Sequence, residues 1–453
     1  MNSSERLTEL AKAPIGRLLW KYSLPAVTGI VVMSVYTIID RIFIGRGVGP
    51  DAIAGLAITF PVTNIHAAIG VLIGVGASAR TSIVLGRGDH KYAEEILGNS
   101  FVMTLVLGIA LVGLFAIFMD PMLRLFGASD ASLPYAREFL TYLMPGMVII
   151  NITYSFNNIM RATGYPMKAM LTMLMVAGLN VVFCPIFIFW LGWGIKGAAI
   201  ATDLAMTAGA IYTIAHFMRR KSEIHFRRGT FRLHRRILYP IMAIGAAPCI
   251  VNTAGCVINA VINNTVYMYG GDSGVAAIGI FTAIAQLIVM FVIGVTQGMQ
   301  PIVGYNYGAQ QFDRLKRAFW YTVGVASAVC TTGALASQLC PRAITSMFTV
   351  DAQLLDAGEQ ALRLTMWMFW VVGIQVVTTN FFQALGRAGK SIFMSLTRQV
   401  IFLLPLLFTL PSMFGLNGVW LSFPLSDGAA TAVTLFLLRL EFKHINGLIA
   451  AQK

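Results

Sequence analysis

Three carboxylates, Asp40, Asp203 and Asp427, fall well inside long apolar stretches of the chain. An ionised carboxylate is costly in hydrocarbon, so an intramembrane acid ordinarily marks an ion or proton path. Asp40 closes an uncharged run from Tyr22 to Ile39. A pair with Arg41 does not explain it, because successive residues on a helix point about 100° apart and do not meet. Tyr36 one turn back and Met33 two turns back share its face, giving a wall of acid, phenol and thioether. In a partly dry cavity such a carboxylate can bind and release a proton near neutral pH.

A second group of donors follows. Asn180 and Cys184 lie one turn apart, and Thr202 and Asp203 come after a turn marked by Gly192, Gly194 and Gly197. Oxygens from Asp40, Asn180 and Thr202 suit a hard cation such as sodium, and Asp203 would add a second acid to a proton site. The competing structural reading is that Asn180 and Thr202 bond backbone carbonyls between helices. In the second half Asn259, Asn263, Asn264, Gln297, Gln300 and Gln375 offer amides that can hold a substrate without titrating. With Met33, Tyr36 and Asn157, the residues Asn259, Asn263, Gln297 and Asp427 form the expected substrate cavity. Asp427, three residues after Pro424, would attract a cationic substrate or hold a second proton, unless it serves a proline-broken helix. Pro25, about four turns before Asp40, removes a helix hydrogen bond and permits a kink, so a conformational role is expected there.

These residues need a membrane around them. The chain has 453 residues, of which 57% are hydrophobic and only 11% charged, and its mean hydropathy is +0.74. It is too apolar for a soluble multidomain protein. Runs of about 20 apolar residues recur, the length needed to cross a core of about 30 Å. About twelve are expected, at 20–44, 53–78, 94–118, 135–158, 168–191, 197–218, 238–268, 275–303, 314–339, 357–383, 392–412 and 418–440. The first run lacks a small-residue cleavage pattern and reads as a retained helix.

The two halves repeat one pattern about 220 residues apart. A shift of 223 lays Pro25 on Pro248, Tyr36 on Asn259 and Asp40 on Asn263. Nearby registers lay Ile73, Gly74 and Val75 on Ile293, Gly294 and Val295, and Asn158, Ala162 and Gly164 on Asn380, Ala384 and Gly386. Six crossings return the chain to its starting side, so the repeat is parallel, and its site belongs at the interface of the halves. The expected fold is an all-α polytopic membrane protein, with two pseudo-symmetric six-helix lobes around a central cavity. Its parts would be a cytoplasmic amino-terminal segment (1–19), a first lobe (20–218), a basic cytoplasmic linker (219–237), a second lobe (238–440) and a cytoplasmic tail (441–453).

The net charge of +14 follows topology rather than a nucleic-acid groove. With the amino terminus inside, the tails and alternate loops collect about 24 of the 33 Lys and Arg, which places both termini in the cytoplasm; the expected location is the cell inner (plasma) membrane. The cysteines (Cys184, Cys249, Cys256, Cys330, Cys340) are odd in number and lack metal-ligand spacing. Ala384-Leu-Gly-Arg-Ala-Gly-Lys-Ser391 falls short of a phosphate-binding loop, since Ala384 stands where glycine is required and no strand precedes it. The histidines His90, His216, His225, His234 and His444 read as loop residues and give no catalytic cluster, which argues against an intramembrane enzyme. A channel would not need a carboxylate in one half only.

Several segments together resemble the multidrug and toxic compound extrusion (MATE) family, its DinF-like branch in particular, over nearly the whole chain. They are Asp40-Arg-Ile-Phe-Ile-Gly45, Gly74 to Gly88, Arg161-Ala-Thr-Gly164, Gly197-Ala-Ala-Ile-Ala-Thr202, Gln300-Pro-Ile-Val-Gly-Tyr-Asn-Tyr-Gly308 and Pro424-Leu-Ser-Asp427. The resemblance implies cation-coupled antiport, exporting amphipathic, cationic compounds by alternating access. It matches the first-helix aspartate to Asp40, the fifth-helix asparagine to Asn180 and the sixth-helix threonine to Thr202. Where the pattern usually has a further aspartate this chain has Cys184, and Asp203 is expected to replace that acid in the same cavity. No second-lobe acidic sodium site is evident, which favours H+ over Na+ as coupling ion. No cofactor and no nucleic-acid partner are expected; the partners are a small amphipathic substrate and the lipid bilayer, with the chain working as a monomer. The alternative is a flippase for lipid-linked oligosaccharide or another lipid-like substrate, which calls for a cavity rich in Arg or Lys; only Arg80 and Arg398 read as interior, both near helix ends.

Overall fold

A computed structural model describes residues 3–220 and 222–452. Lys221 of the basic run and the side chain of Cys256 lie outside that description. The described part is helical because an apolar chain in lipid has no water to satisfy its backbone and must bond each amide internally. Short polar side chains on these helices turn back to their own carbonyls, as Thr37 does to Met33 at 2.9 Å.

The first lobe consists of α1 (Ile15–Gly47), α2 (Pro50–Gly86), α3 (His90–Ile117), α4 (Leu133–Ala162), α5 (Pro166–Pro185, continued by a π-helical turn Ile186–Trp190) and α6 (Gly194–Met218). Beyond it a helical stretch of 74 residues, Arg235–Gly308, breaks at Gly271, where φ is +59°. A straight helix of that length would be about 110 Å long, so it makes two crossings, α7 (235–270) and α8 (272–308). Four more follow: α9 (Phe312–Leu339), α10 (Ala352–Thr365 bent by 49° into Phe369–Ala384), α11 (Ala388–Leu396 through a π-helical stretch Thr397–Leu403 to Leu404–Phe414) and α12 (Leu416–Gln452). With that break and that bend counted, twelve crossings among the described residues form two six-helix lobes.

The termini are less free than the sequence suggests. Arg314 donates to the carbonyls of Leu10 and Ala13 at 3.1 and 2.7 Å, which ties the short helix Ser3–Lys12 to the second lobe. Residues 441–452 continue α12 rather than forming a loose tail. Glu441 is buried against Arg387 and Lys390, and Phe442 packs its ring on Phe319 at 5.4 Å. The linker also docks: Glu94 holds Arg227 and His225 at 2.8 and 3.0 Å, while Phe226 and Phe231 pack against Phe101.

The lobes meet through glycines. Gly76 lies against the Ile241 carbonyl, Gly245 against Leu72, Gly86 against Tyr305 and Gly308 against Ile83, so α2 runs with its backbone directly on α7 and α8. Gly294 and Gly298 similarly receive Val27 and Ser23 of α1. All these contacts lie in the half of the bundle that carries the termini. Toward the opposite face the lobes part around a cavity.

Small residues are what permit this approach. Gly76→Ala is therefore expected to lose about 1–3 kcal/mol by overpacking, whereas Gly113→Ala, with open space at its Cβ position, should not. Thermal unfolding of the two purified variants in detergent compares them; matched midpoints would show that the glycine seam does not hold the lobes.

Candidate functional site

Between the lobes lies a cavity of about 750 Å³. Its walls are apolar, with Met33, Val71, Val75, Met173, Leu287 and Met290, and its polar lining includes Asn158, Arg161, Gln286 and Gln297. Toward the termini it is floored by Arg161, which donates through Nη1 to Gln297 of the other lobe and through Nη2 to Asn158 Oδ1 at 2.9 Å. At the opposite end Ile38, Phe60 and Leu287 of its rim are exposed. The molecule is thus closed on the side of its termini and open on the other.

A side chamber of about 300 Å³ opens from this cavity into the first lobe. Tyr36, Thr37, Arg41, Phe60 and Tyr154 line both spaces. Asp40 stands in the side chamber with Thr202, His66 and Met206. Its carboxylate forms no ion pair among the described residues and accepts from the Cys184 thiol, Sγ to Oδ1 being 3.0 Å. Cys184, at the end of α5, is wholly buried. Alongside, Asn180 donates through Nδ2 to Thr202 Oγ1 at 3.1 Å, and its own Oδ1 is buried with no hydrogen-bond partner. The side chains of Asp40, Cys184, Asn180 and Thr202 therefore gather from α1, α5 and α6, as the spacing in the sequence requires.

Asp203 does not join them. It turns to α4, where its Oδ2 accepts from the Gly146 backbone N–H at 3.1 Å, next to Pro145. Neighbours on a helix diverge, and Asp203 does not line the chamber that Thr202 lines; it serves the backbone of α4 beside Pro145 instead. Of the expected substrate-cavity residues, Met33, Tyr36 and Gln297 line the central cavity. Asn157 is buried behind it, donating to the Ala169 carbonyl at 2.8 Å and lining only a small gap beside Met33. Asn259 lines a separate cavity of about 270 Å³ within the second lobe, together with Asp427 and Arg398. Asn263, one turn farther, is exposed and lines none of these three spaces. Pro25 is buried in an unbroken stretch of α1.

Asp427 is not a free acid. Arg398 donates from Nε to its Oδ1 at 2.5 Å, and the Asp427 carbonyl accepts from Gln375 at 2.7 Å. Arg398 lies within the π-helical stretch midway along α11 rather than near a helix end. Two further residues escaped the sequence reading. His66, the histidine placed in no loop, is buried in α2 and meets Asn151 Nδ2 at 3.0 Å. Arg161, quoted above only as part of a motif, is buried at the cavity floor. His216 also departs from its expected loop, being buried at the end of α6.

A family model described as MatE matches residues 25–186 and 248–409. The two matches begin at Pro25 and Pro248, the register of the internal repeat. The multidrug export protein MepA of Staphylococcus aureus (strain MSSA476) is 25% identical over 439 residues, which cover 96% of this chain and 96% of that protein. MepA of Staphylococcus haemolyticus (strain JCSC1435) is also 25% identical, over 437 residues covering 96% and 95%. Among solved structures, a crystal structure of MATE in the bent conformation superposes with a TM-score of 0.92 at 24% identity, covering 98% of both chains. An outward-facing multidrug resistance MATE transporter superposes with a TM-score of 0.90 at 24% identity, covering 97% of this chain and 98% of that one.

The pair in the second lobe predicts a stability effect. Asp427→Asn leaves Arg398 charged and mostly enclosed and should cost about 3 kcal/mol, whereas Asp427→Asn with Arg398→Gln should recover much of that loss. Thermal midpoints measured side by side decide it: if the single and double variants melt alike, the ion pair is not what joins α11 to α12.

Proposed function

This chain belongs to the MatE family of secondary transporters, and from that premise we propose that it exports amphipathic small molecules through the cavity between its lobes, driven by a cation that alternately loads and leaves Asp40. The observation that carries this reading is an acid that forms no ion pair among the described residues, set in a side chamber that shares its lining with the central cavity. When the acid is charged, only the Cys184 thiol and the polar lining of the chamber offset its desolvation. When it is neutral, that cost disappears and α1 can pack more closely on α5 and α6. Pro25, buried where α1 meets α8, is the proposed point of bending.

Export requires the cavity to reach the other side. The glycine seam must then open while the rims of Phe60 and Leu287 approach, which is the rocking of two rigid lobes expected of a parallel repeat. With both termini cytoplasmic and the protein in the inner membrane, the state described here is open to the outside.

Proton coupling is favoured over sodium. The thiol that contacts Asp40 is a soft group and a poor ligand for a hard cation, and it takes one of the carboxylate oxygens. Asn180 Oδ1 and Thr202 Oγ1 would be the remaining oxygen donors for a sodium ion. Asp203, bonded to Gly146, is given no part in coupling. The cationic preference that the resemblance implies has no carboxylate in the central cavity to support it. Flipping of lipid-linked oligosaccharide is the weaker reading, because two arginines, Arg41 and Arg161, are few for a pyrophosphate.

Reconstituted protein tests this reading. Fluorescent amphiphiles of either charge are loaded into proteoliposomes and efflux is followed under an imposed proton or sodium gradient. Wild type and Asp203→Asn should respond to the proton gradient, while Asp40→Asn should fall to the leak of protein-free vesicles. Efflux that ignores both gradients would refute secondary active transport.

A further inference from the structure

Four residues that carry full charge are buried in the described structure: Glu94, Arg161, Asp427 and Glu441. Glu94 pairs with Arg227, Asp427 with Arg398, and Glu441 with Arg387 and Lys390. Arg161 is the exception. Its guanidinium meets two neutral amide oxygens, on Gln297 and Asn158, and forms no ion pair among the described residues. A buried charge left without an opposite one is expensive, which is why such groups in membrane proteins normally find a partner. The carbonyls at the end of α4 supply some compensation, equivalent to about half a charge. The remainder is unmet.

The surroundings do not supply it either. No Asp or Glu lines the central cavity, whose other charged residue is Arg41. Nor does the fold itself demand an arginine here. The internal repeat that lays Asn158 on Asn380 and Ala162 on Ala384 lays Arg161 on Gln383. In the second lobe Gln300 donates to Asn380 at 2.9 Å and to Gln383 at 3.4 Å, so the same corner is completed by amides alone. One lobe carries a charge where the other shows that none is needed.

We propose that Arg161 is the seat of an anionic head group, and that the substrates of this chain are amphiphiles bearing a carboxylate or sulfonate, with their apolar bodies against Met33, Met173, Leu287 and Met290. Guanidinium presents several donors in one plane and suits an oxyanion in two-pronged fashion, and the methionine-rich wall accepts apolar bodies of varied shape. The amides of Asn158 and Gln297 hold the guanidinium in place and give way when the lobes separate at this floor. The proposal rests on the central cavity being the transport path, yet it concerns binding and needs no gradient.

The test is a binding titration of purified protein in lipid nanodiscs, using one coumarin body that carries in turn a carboxylate, a carboxamide and a trimethylammonium head. Wild type should bind the carboxylate at least about tenfold more tightly than the carboxamide, as expected for a charge-assisted hydrogen bond. Arg161→Gln, which copies the Gln383 corner, should abolish that ratio, and Arg161→Lys should keep part of it. Elution as a single species and an unchanged thermal midpoint establish that the variants fold. Should Arg161→Gln not fold, the wild-type ratio still reads the preference without any variant. Repeating the titration with and without phosphatidylglycerol in the discs identifies the source: competition assigns the seat to a lipid head group and indifference to a soluble anion, the anion site standing in both cases. A wild-type preference for the trimethylammonium form, or a carboxylate-to-carboxamide ratio that survives Arg161→Gln, overturns the proposal while leaving Asp40-coupled export intact.

Discussion

Charge placed inside a hydrocarbon layer has to be answered locally, and how each buried charge is answered organises this molecule. Glu94 is answered by the linker, and Glu441 by the loop and first turn around α11, so in both places an ion pair fastens a peripheral segment onto a lobe. Asp427 and Arg398 answer one another within the second lobe, which leaves that lobe electrically closed. Among the described residues Asp40, Asp203 and Arg161, all in the first lobe, have no ionic partner, and Asp203 is taken by the Gly146 backbone N–H. Asp40 has only a thiol at 3.0 Å, and Arg161 has only amides. That incompleteness is the ground on which a coupling ion at Asp40 and an anionic head group at Arg161 are proposed.

The two open charges are separated in place, and the roles proposed for them differ. Asp40 lies in a side chamber behind Tyr36 and Tyr154, residues that also line the central cavity. Arg161 lies on the floor of that cavity, against the seam where Gly76, Gly86, Gly245 and Gly308 bring the lobes together. In the proposed cycle a proton at Asp40 changes the packing of α1, and α1 touches the seam at Ser23 and Val27. Arg161 bridges the same seam through Gln297. Occupancy at either site therefore bears on the one interface that must break for the cavity to change sides, which is the physical requirement for coupling two ligands that never meet.

The crossings and the parallel repeat were legible in the sequence because hydrophobic length and register depend on the chain alone. So was the cluster of Asp40, Asn180 and Thr202, since residues a turn apart share a face and a short glycine turn brings neighbouring helices side by side. What failed depended on partners remote in sequence. Asp203 looked like a neighbour of Thr202, but a backbone amide beside Pro145 claimed it. Asp427 looked free because Arg398, placed near a helix end by its position, lies midway along a span in a π-helical stretch. Arg161 passed as part of a motif at a helix end, because nothing in the sequence says that a cavity floor passes beneath it. His66 went unweighed for a similar reason. Cys184 read as a missing acid, whereas geometry makes it the donor to the remaining one.

In the proposed cycle, the thiol of Cys184, standing where the resemblance leads one to expect an acid, changes the electrical sense. With two acids near α1 and α5, a cation could be held by one while the other carried the coupling ion. With one acid and a lining that bears Arg41 and Arg161, the first lobe holds positive charge whenever Asp40 is protonated. An anion leaving as a proton enters moves charge in the same direction in both halves of the cycle. Each elementary charge is worth about 2.3 kcal/mol per 100 mV, so potential and pH gradient would act together. A monovalent cation exchanged for one proton would feel the pH gradient alone. On the proposed reading, one titrating acid is enough to drive uphill export of a negative cargo.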